Sequence, residues 1–154
     1  MPRTCCFVGH RTIHETAEWK EQLSATIEKL ILQENVDTFL FGSKSRFNDL
    51  CHELVTQSKE KHPHIKRVYV RAEHPHISEH YQAYLLQQYE DTYFPPQISG
   101  AGKAAYVERN CEMIRKSDFC VVYFRAHNVP ANRKSGAKAA LDYAVTQKKH
   151  VIIV

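Results

Sequence analysis

The sequence predicts an α/β protein with a doubly wound, mainly parallel sheet of five strands and helices on both faces. Three observations carry this. Five short runs rich in β-branched and aromatic residues recur along the chain, at 4–8, 38–41, 67–70, 119–124 and 150–154. None alternates cleanly with polar residues, so both faces of each strand are expected to be covered. Between them lie longer segments whose apolar residues recur at helical spacing, and strict alternation of the two kinds implies right-handed crossovers.

In order, TCCFV at 4–8 forms the first strand, followed by a helix over 15–33. That helix carries Trp19, Leu23, Ile27, Leu30 and Ile31 on one stripe, with Thr12 and Glu15 available as a capping box. TFLF at 38–41 precedes a helix over 46–61, with Phe47, Leu50, Cys51, Leu54 and Val55 at helical spacing, which stops before Pro63. RVYV at 67–70 is followed by a helix over 78–89. A loop then spans 91–103, where a Pro pair and two glycines break any regular element. A helix over 104–116 leads to FCVVYF at 119–124 and a basic loop over 125–134. The last helix, 136–147, is lined by Ala137, Ala140, Leu141 and Ala144, small enough for close approach to the sheet before HVIIV ends the chain. The expectation is a Rossmann-like three-layer sandwich, strand order 3-2-1-4-5, as one domain over residues 1–154. An ending on an apolar strand predicts a short further C-terminal piece.

With 154 residues, 43% apolar and 25% charged, the chain has enough apolar surface for a core. No apolar run approaches the roughly 20 residues a membrane span needs, and polar His10 follows too soon for a signal peptide. A cytoplasmic location is the expectation, and the odd set Cys5, Cys6, Cys51, Cys111 and Cys120, without a Cys-x-x-Cys pair, reads as buried free thiols. The net charge of +4, with 17 acidic residues interleaved, fits one anion-binding cleft better than a nucleic-acid-coating surface. His74-Pro75-His76 with His80 lacks a matching ligand set, so no metal is expected. Oligomeric state is left open, with helix surface to spare for a homodimer.

In an open α/β sheet the ligand crevice lies beyond the carboxyl ends of the strands, where strand order reverses. Three turns converge there: Gly9-His10-Arg11 after the first strand, Gly42-Ser43-Lys44-Ser45-Arg46 after the second, and Ser135-Gly136-Ala137 at the start of the last helix. Each feeds a helix N-terminus, whose free N–H groups and partial positive charge favour phosphate, and Arg11, Lys44 and Arg46 add cations. A glycine after a strand is otherwise an ordinary turn residue. The absence of Gly-x-Gly-x-x-Gly and of Gly-x-x-x-x-Gly-Lys-Ser/Thr excludes the usual dinucleotide and P-loop patterns. Of Tyr81, Tyr84, Tyr89 and Tyr93, most read as core, with one or two available to stack on a base.

These residues also carry a family resemblance. Cys6-Phe7-Val8-Gly9-His10-Arg11 resembles the opening strand and turn of YpsA-like proteins in the SLOG superfamily, named for the Smf/DprA proteins and the LOG enzymes. Tyr106-Val107-Glu108-Arg109-Asn110, followed by Ser117-Asp118, is similar to that family's Arg-Asn helix. Ser135-Gly136-Ala137 with Leu141, Tyr143 and Ala144 is similar to its Gly-Gly-Thr helix. The resemblance implies a Rossmann-like domain that binds a nucleotide or an ADP-ribose-like ligand, with Arg109 and Asn110 reaching the crevice. Two departures stand out: a polar, cationic turn before Asn48, where the family has an apolar turn ending in Asp, and Ser135 in place of one glycine. The LOG branch, more weakly similar, implies an alternative, a nucleoside-monophosphate N-glycosidase with Asp142 and Arg109 as catalytic residues. The Smf/DprA branch implies a third, single-stranded DNA binding, which the modest charge disfavours.

Overall fold

Along β1 (Arg3–Gly9), Cys5 and Phe7 face one side of the sheet while Cys6 and Val8 face the other, and all four are buried. That two-sided burial makes β1 the central strand. The structure is a computed structural model that describes residues 2–154 apart from Ser43, Ser99 and 129–134, and apart from the side chains of Lys103 and Asn128. The chain continues through α1 (Ala17–Gln33), β2 (Val36–Phe41), α2 (Arg46–Lys61), β3 (Lys66–Val70), α3 (Glu79–Leu85), β4 (Asp91–Tyr93), α4 (Ala105–Arg115), β5 (Phe119–Tyr123), α5 (Gly136–Thr146) and β6 (His150–Ile153). Every strand pairing is parallel, in the order β4-β3-β2-β1-β5-β6.

The α/β class and the mutual order of the five expected strands therefore hold, and the count of five does not. The sixth strand, β4, lies within the stretch expected to be a loop. Its three residues DTY carry no apolar run, and they pair through other means. Arg71 N donates to Tyr93 O at 2.8 Å, Thr92 Oγ1 donates to Tyr69 O at 2.8 Å, and Glu90 just before the strand grips Arg67. Helix starts also moved. Thr16, not Thr12, caps α1, its hydroxyl accepting from Trp19 N at 3.1 Å. Glu15 then lies outside the helix and reaches Arg46. Helix α3 ends at Leu85, four residues short of expectation, and Tyr89 packs from the turn that follows.

Two apolar layers fill the faces. One joins Phe7, Phe39, Phe41, Phe47 and Tyr123 to Leu23 and Ile27 of α1. The other joins Cys6, Val8, Val70 and Val122 to Met113 and Ile114 of α4 and to Ala140 and Ala144 of α5. Each fully buried side chain of this size contributes roughly 1.5–3 kcal/mol. Among the described residues no helix is long and apolar enough to cross a membrane. Cys5, Cys6, Cys51 and Cys120 are buried free thiols as expected, whereas Cys111 is only half-buried.

Candidate functional site

Asn48, in the first turn of α2, joins the ends of the two central strands. Its Nδ2 donates to Phe7 O at 3.2 Å, its Oδ1 accepts from Gly42 N at 3.3 Å, and it is 3% exposed. An Asp here could not donate to Phe7 O, so Asn at this position suits this chain's geometry. The β1 turn is tied on both sides: Arg46 N donates to Arg11 O at 2.9 Å, and Arg125 N donates to His10 Nε2 at 2.9 Å. The His10 ring stacks on Phe124 at 5.3 Å between centroids. His10 thus holds the exit of β5 against the exit of β1.

Beyond these strand ends opens a cavity of about 600 Å³. It is lined by Gly9, His10 and Arg11 from the β1 turn, by Gly42 and Lys44 from the β2 turn, and by Arg109 and Asn110 from α4. Ser135, Gly136 and Ala137 at the start of α5 complete the expected set. The three turns, distant in sequence, do converge. The glycines there differ in purpose. A Cβ on Gly9 would lie 2.7 Å from Tyr123 O, so β5 itself requires this glycine. A Cβ on Gly136 would meet nothing within 4 Å among the described residues, and Gly136 lines the cavity at the α5 N-terminus. Ser135 is the N-cap, its hydroxyl accepting from Lys138 N at 3.2 Å.

Two expected residues lie elsewhere. Arg46 points away from the cavity and forms a two-pronged ion pair with Glu15, at 2.7 and 2.8 Å, because α1 begins late enough to leave Glu15 free for it. Asp142 is solvent-exposed on α5 and pairs with Lys138 at 2.7 Å, an i, i+4 contact on the helix surface. Ser43 and the 129–134 part of the basic loop lie outside the described residues. The β3 exit supplies what was missed: Tyr69, Arg71, Glu73 and His74 line the cavity, joined by Tyr81, Tyr106 and Cys111. The signal was present in Arg71-Ala72-Glu73-His74, another charged turn after a strand.

The electrostatics are one-sided. Arg3, Arg46, Arg67 and Arg115, away from the cavity, each hold a carboxylate. Arg11, Lys44, Arg71 and Arg109, which line it, form no ion pair among the described residues. Arg109 is the extreme case, 4% exposed. Its Nε donates to Asn110 Oδ1 at 3.1 Å and its Nη1 to Gly42 O, and Nη2 has no partner among the described residues. Burial brings its pKa down to about 10, against smaller opposing effects of Tyr69 and Glu73. Arg71 is likewise shifted down, chiefly by burial, with neutral oxygens of His74 and Thr92 as its bonds. Glu73 is the sole carboxylate lining the cavity among the described residues, and it accepts from the Tyr106 hydroxyl. No family model matches this chain, and no curated protein matches it. Among the described residues no cluster of three or more His, Cys, Asp or Glu side chains comes together to hold a metal.

Proposed function

We propose that this protein is a cytoplasmic binding domain for a nucleotide or a nucleotide-derived ligand such as ADP-ribose, acting in sensing or regulation. The observation that carries the reading is the set of four cations around one cavity that form no ion pair among the described residues. A buried guanidinium without a carboxylate is costly to the folded chain, and an anionic ligand supplies the missing counter-charge. The phosphates would lie between Arg109, Lys44, Arg11 and the open N-terminus of α5, where free N–H groups and the helix dipole add to the attraction. More than one phosphate is implied by four cations against one carboxylate. Glu73, an acceptor among cations, suits the donor part of such a ligand, the ribose hydroxyls. The resemblance of the Gly9-His10-Arg11 and Arg109-Asn110 segments to YpsA-like proteins supports the same reading. The hydrolytic alternative would need Asp142 in the cavity, and Asp142 is paired with Lys138 outside it.

The test is a thermal-shift panel of nucleoside mono-, di- and triphosphates, ADP-ribose and pyrophosphate, followed by calorimetric titration. A true ligand at a hundredfold excess over its Kd adds about 2.7 kcal/mol to stability. The Arg109→Met variant should lose that gain. Absence of any shift at millimolar ligand, with the fold intact, overturns the reading.

A further inference from the structure

Next to the main cavity lies a second hollow of about 280 Å³, walled by Tyr69, Tyr81 and Tyr89 over Leu85, with Lys44, Asp49 and Gln88 beside the rings. It shares Lys44, Tyr69 and Tyr81 with the main cavity, so the two adjoin along a common boundary. The rings of Tyr69 and Tyr89 stack at 5.3 Å and 30°, and Leu85 is buried beneath. Asp49, one residue beyond Asn48, is exposed, and its carboxylate makes no hydrogen bond or ion pair among the described residues. The side-chain amide of Gln88 is equally free among them; its backbone oxygen accepts from His52 Nε2 at 3.0 Å and its backbone N donates to Leu85 O at 3.0 Å.

Resting on the reading above, we infer that this hollow is the base subsite of the same ligand, built for a heterocycle that carries an exocyclic amino group. Aromatic walls take a flat π-system of any sequence identity. A carboxylate only accepts, so Asp49 selects a base edge that donates. Gln88 both donates and accepts, and completes a purine edge beside an amino group. Lys44, on the boundary, faces the phosphates on one side and screens Asp49 on the other. The ligand then lies across the boundary: phosphates on Arg109, base against Tyr81.

The experiment titrates the whole chain by calorimetry with pyrophosphate, ADP, GDP and the 5′-diphosphate of purine riboside, which lacks the amino group. ADP or GDP should bind at least tenfold more tightly than pyrophosphate, and more tightly than the amino-free analogue. Tyr89→Ala, at a ring that lines this hollow and not the main cavity, should erase most of that gain while leaving pyrophosphate affinity within twofold. Asp49→Asn, at an exposed position in the first turn of α2, should weaken the amino-bearing ligand at least fivefold and leave the amino-free analogue unchanged. Pyrophosphate and the nucleotides binding equally, with both variants indifferent, overturns the base subsite and spares the anion site. Failure of every anion, pyrophosphate included, overturns both.

Discussion

The Arg109 side chain reaches the Gly42 carbonyl through the space that a side chain at position 42 would occupy. A Cβ built there would lie 2.5 Å from Arg109 Cδ and 2.8 Å from Met113 Sδ. Glycine at the end of β2 is thus the condition for a guanidinium to lie against the strand ends, and sequence positions 42 and 109 act as one feature.

Gly42→Ala should therefore displace a side chain, while Gly9→Ala should displace backbone. Overpacking of this kind costs about 1–3 kcal/mol. For Gly42→Ala we expect a modest loss of stability and at least a tenfold loss in pyrophosphate affinity as Arg109 swings out. For Gly9→Ala the obstacle is Tyr123 O at 2.7 Å, which cannot move without β5, so the larger drop in Tm belongs to that variant. Paired thermal melts and titrations check both; equal effects on stability and binding in the two variants would refute the distinction.

Arg109→Met probes the cost of the buried charge directly. In the ligand-free protein Arg109 is shifted down to about 10 because burial disfavours its charged form. The sign follows: between about pH 10 and the ordinary arginine value of 12.5, the unfolded chain binds a proton that the folded chain has released, so this group's contribution to stability rises with pH there and is unfavourable below. Methionine removes that penalty. The ligand-free variant should melt no lower than the parent at pH 7, yet bind pyrophosphate at least tenfold more weakly, as loss of a charge-assisted bond of about 1.5–3 kcal/mol requires. The gap in affinity between parent and variant should close above about pH 10. A variant that melts several degrees lower at pH 7 would show Arg109 to be a structural cation instead.

Five strands, their parallel pairing and the three converging turns were legible because they rest on local chemistry: β-branched runs, and a glycine with a cation nearby in each of the three turns. What escaped was set by partners distant in sequence. The β4 strand is held by Glu90, Arg71 and Thr92 through bonds to β3, and no apolar run announces it. Arg46 and Lys44 look alike as cations two residues apart, and Glu15, 31 positions away, decides that Arg46 turns outward. The β3 exit was legible in kind, since Arg71 and Glu73 form a charged turn like the others, but its distance from the crossover point hid its part in the cavity.

Cys111 offers a direct report on occupancy. It is the cysteine that lines the cavity, and Cys5, Cys6, Cys51 and Cys120 are buried. Burial and nearby Glu108 push its thiol up from the ordinary value, so alkylation at pH 7 should be slow and should speed up toward pH 9. Mass spectrometry should find one alkylated site in the native protein, and bound nucleotide should protect it. Modification of Cys6 or Cys120 at a similar rate would contradict the burial of the central strands.

Acid stability should turn on Glu90. Its carboxylate accepts from Arg67 Nε at 3.0 Å, from Arg67 Nη2 at 2.8 Å and from Arg67 N at 2.9 Å, clamping the start of β4 to β3. Burial alone would raise its pKa, but the side-chain and backbone bonds from Arg67 together outweigh this and hold it below the ordinary value of 4.5. With a depressed folded pKa, the stabilisation is present above the unfolded value and is lost as pH falls through the folded one. Glu90→Gln should cost about 1–2 kcal/mol at pH 7, for a charge-assisted pair that is partly solvated, and less at pH 3, below the ordinary carboxylate value. Urea titrations of parent and variant at the two pH values measure the difference. Hydrogen exchange should accelerate at Arg71 N, the amide that bonds Tyr93 O, because β4 frays when the clamp opens. A stability gap that stays constant from pH 7 to pH 3 would mean that packing, not the ion pair, secures this edge of the sheet.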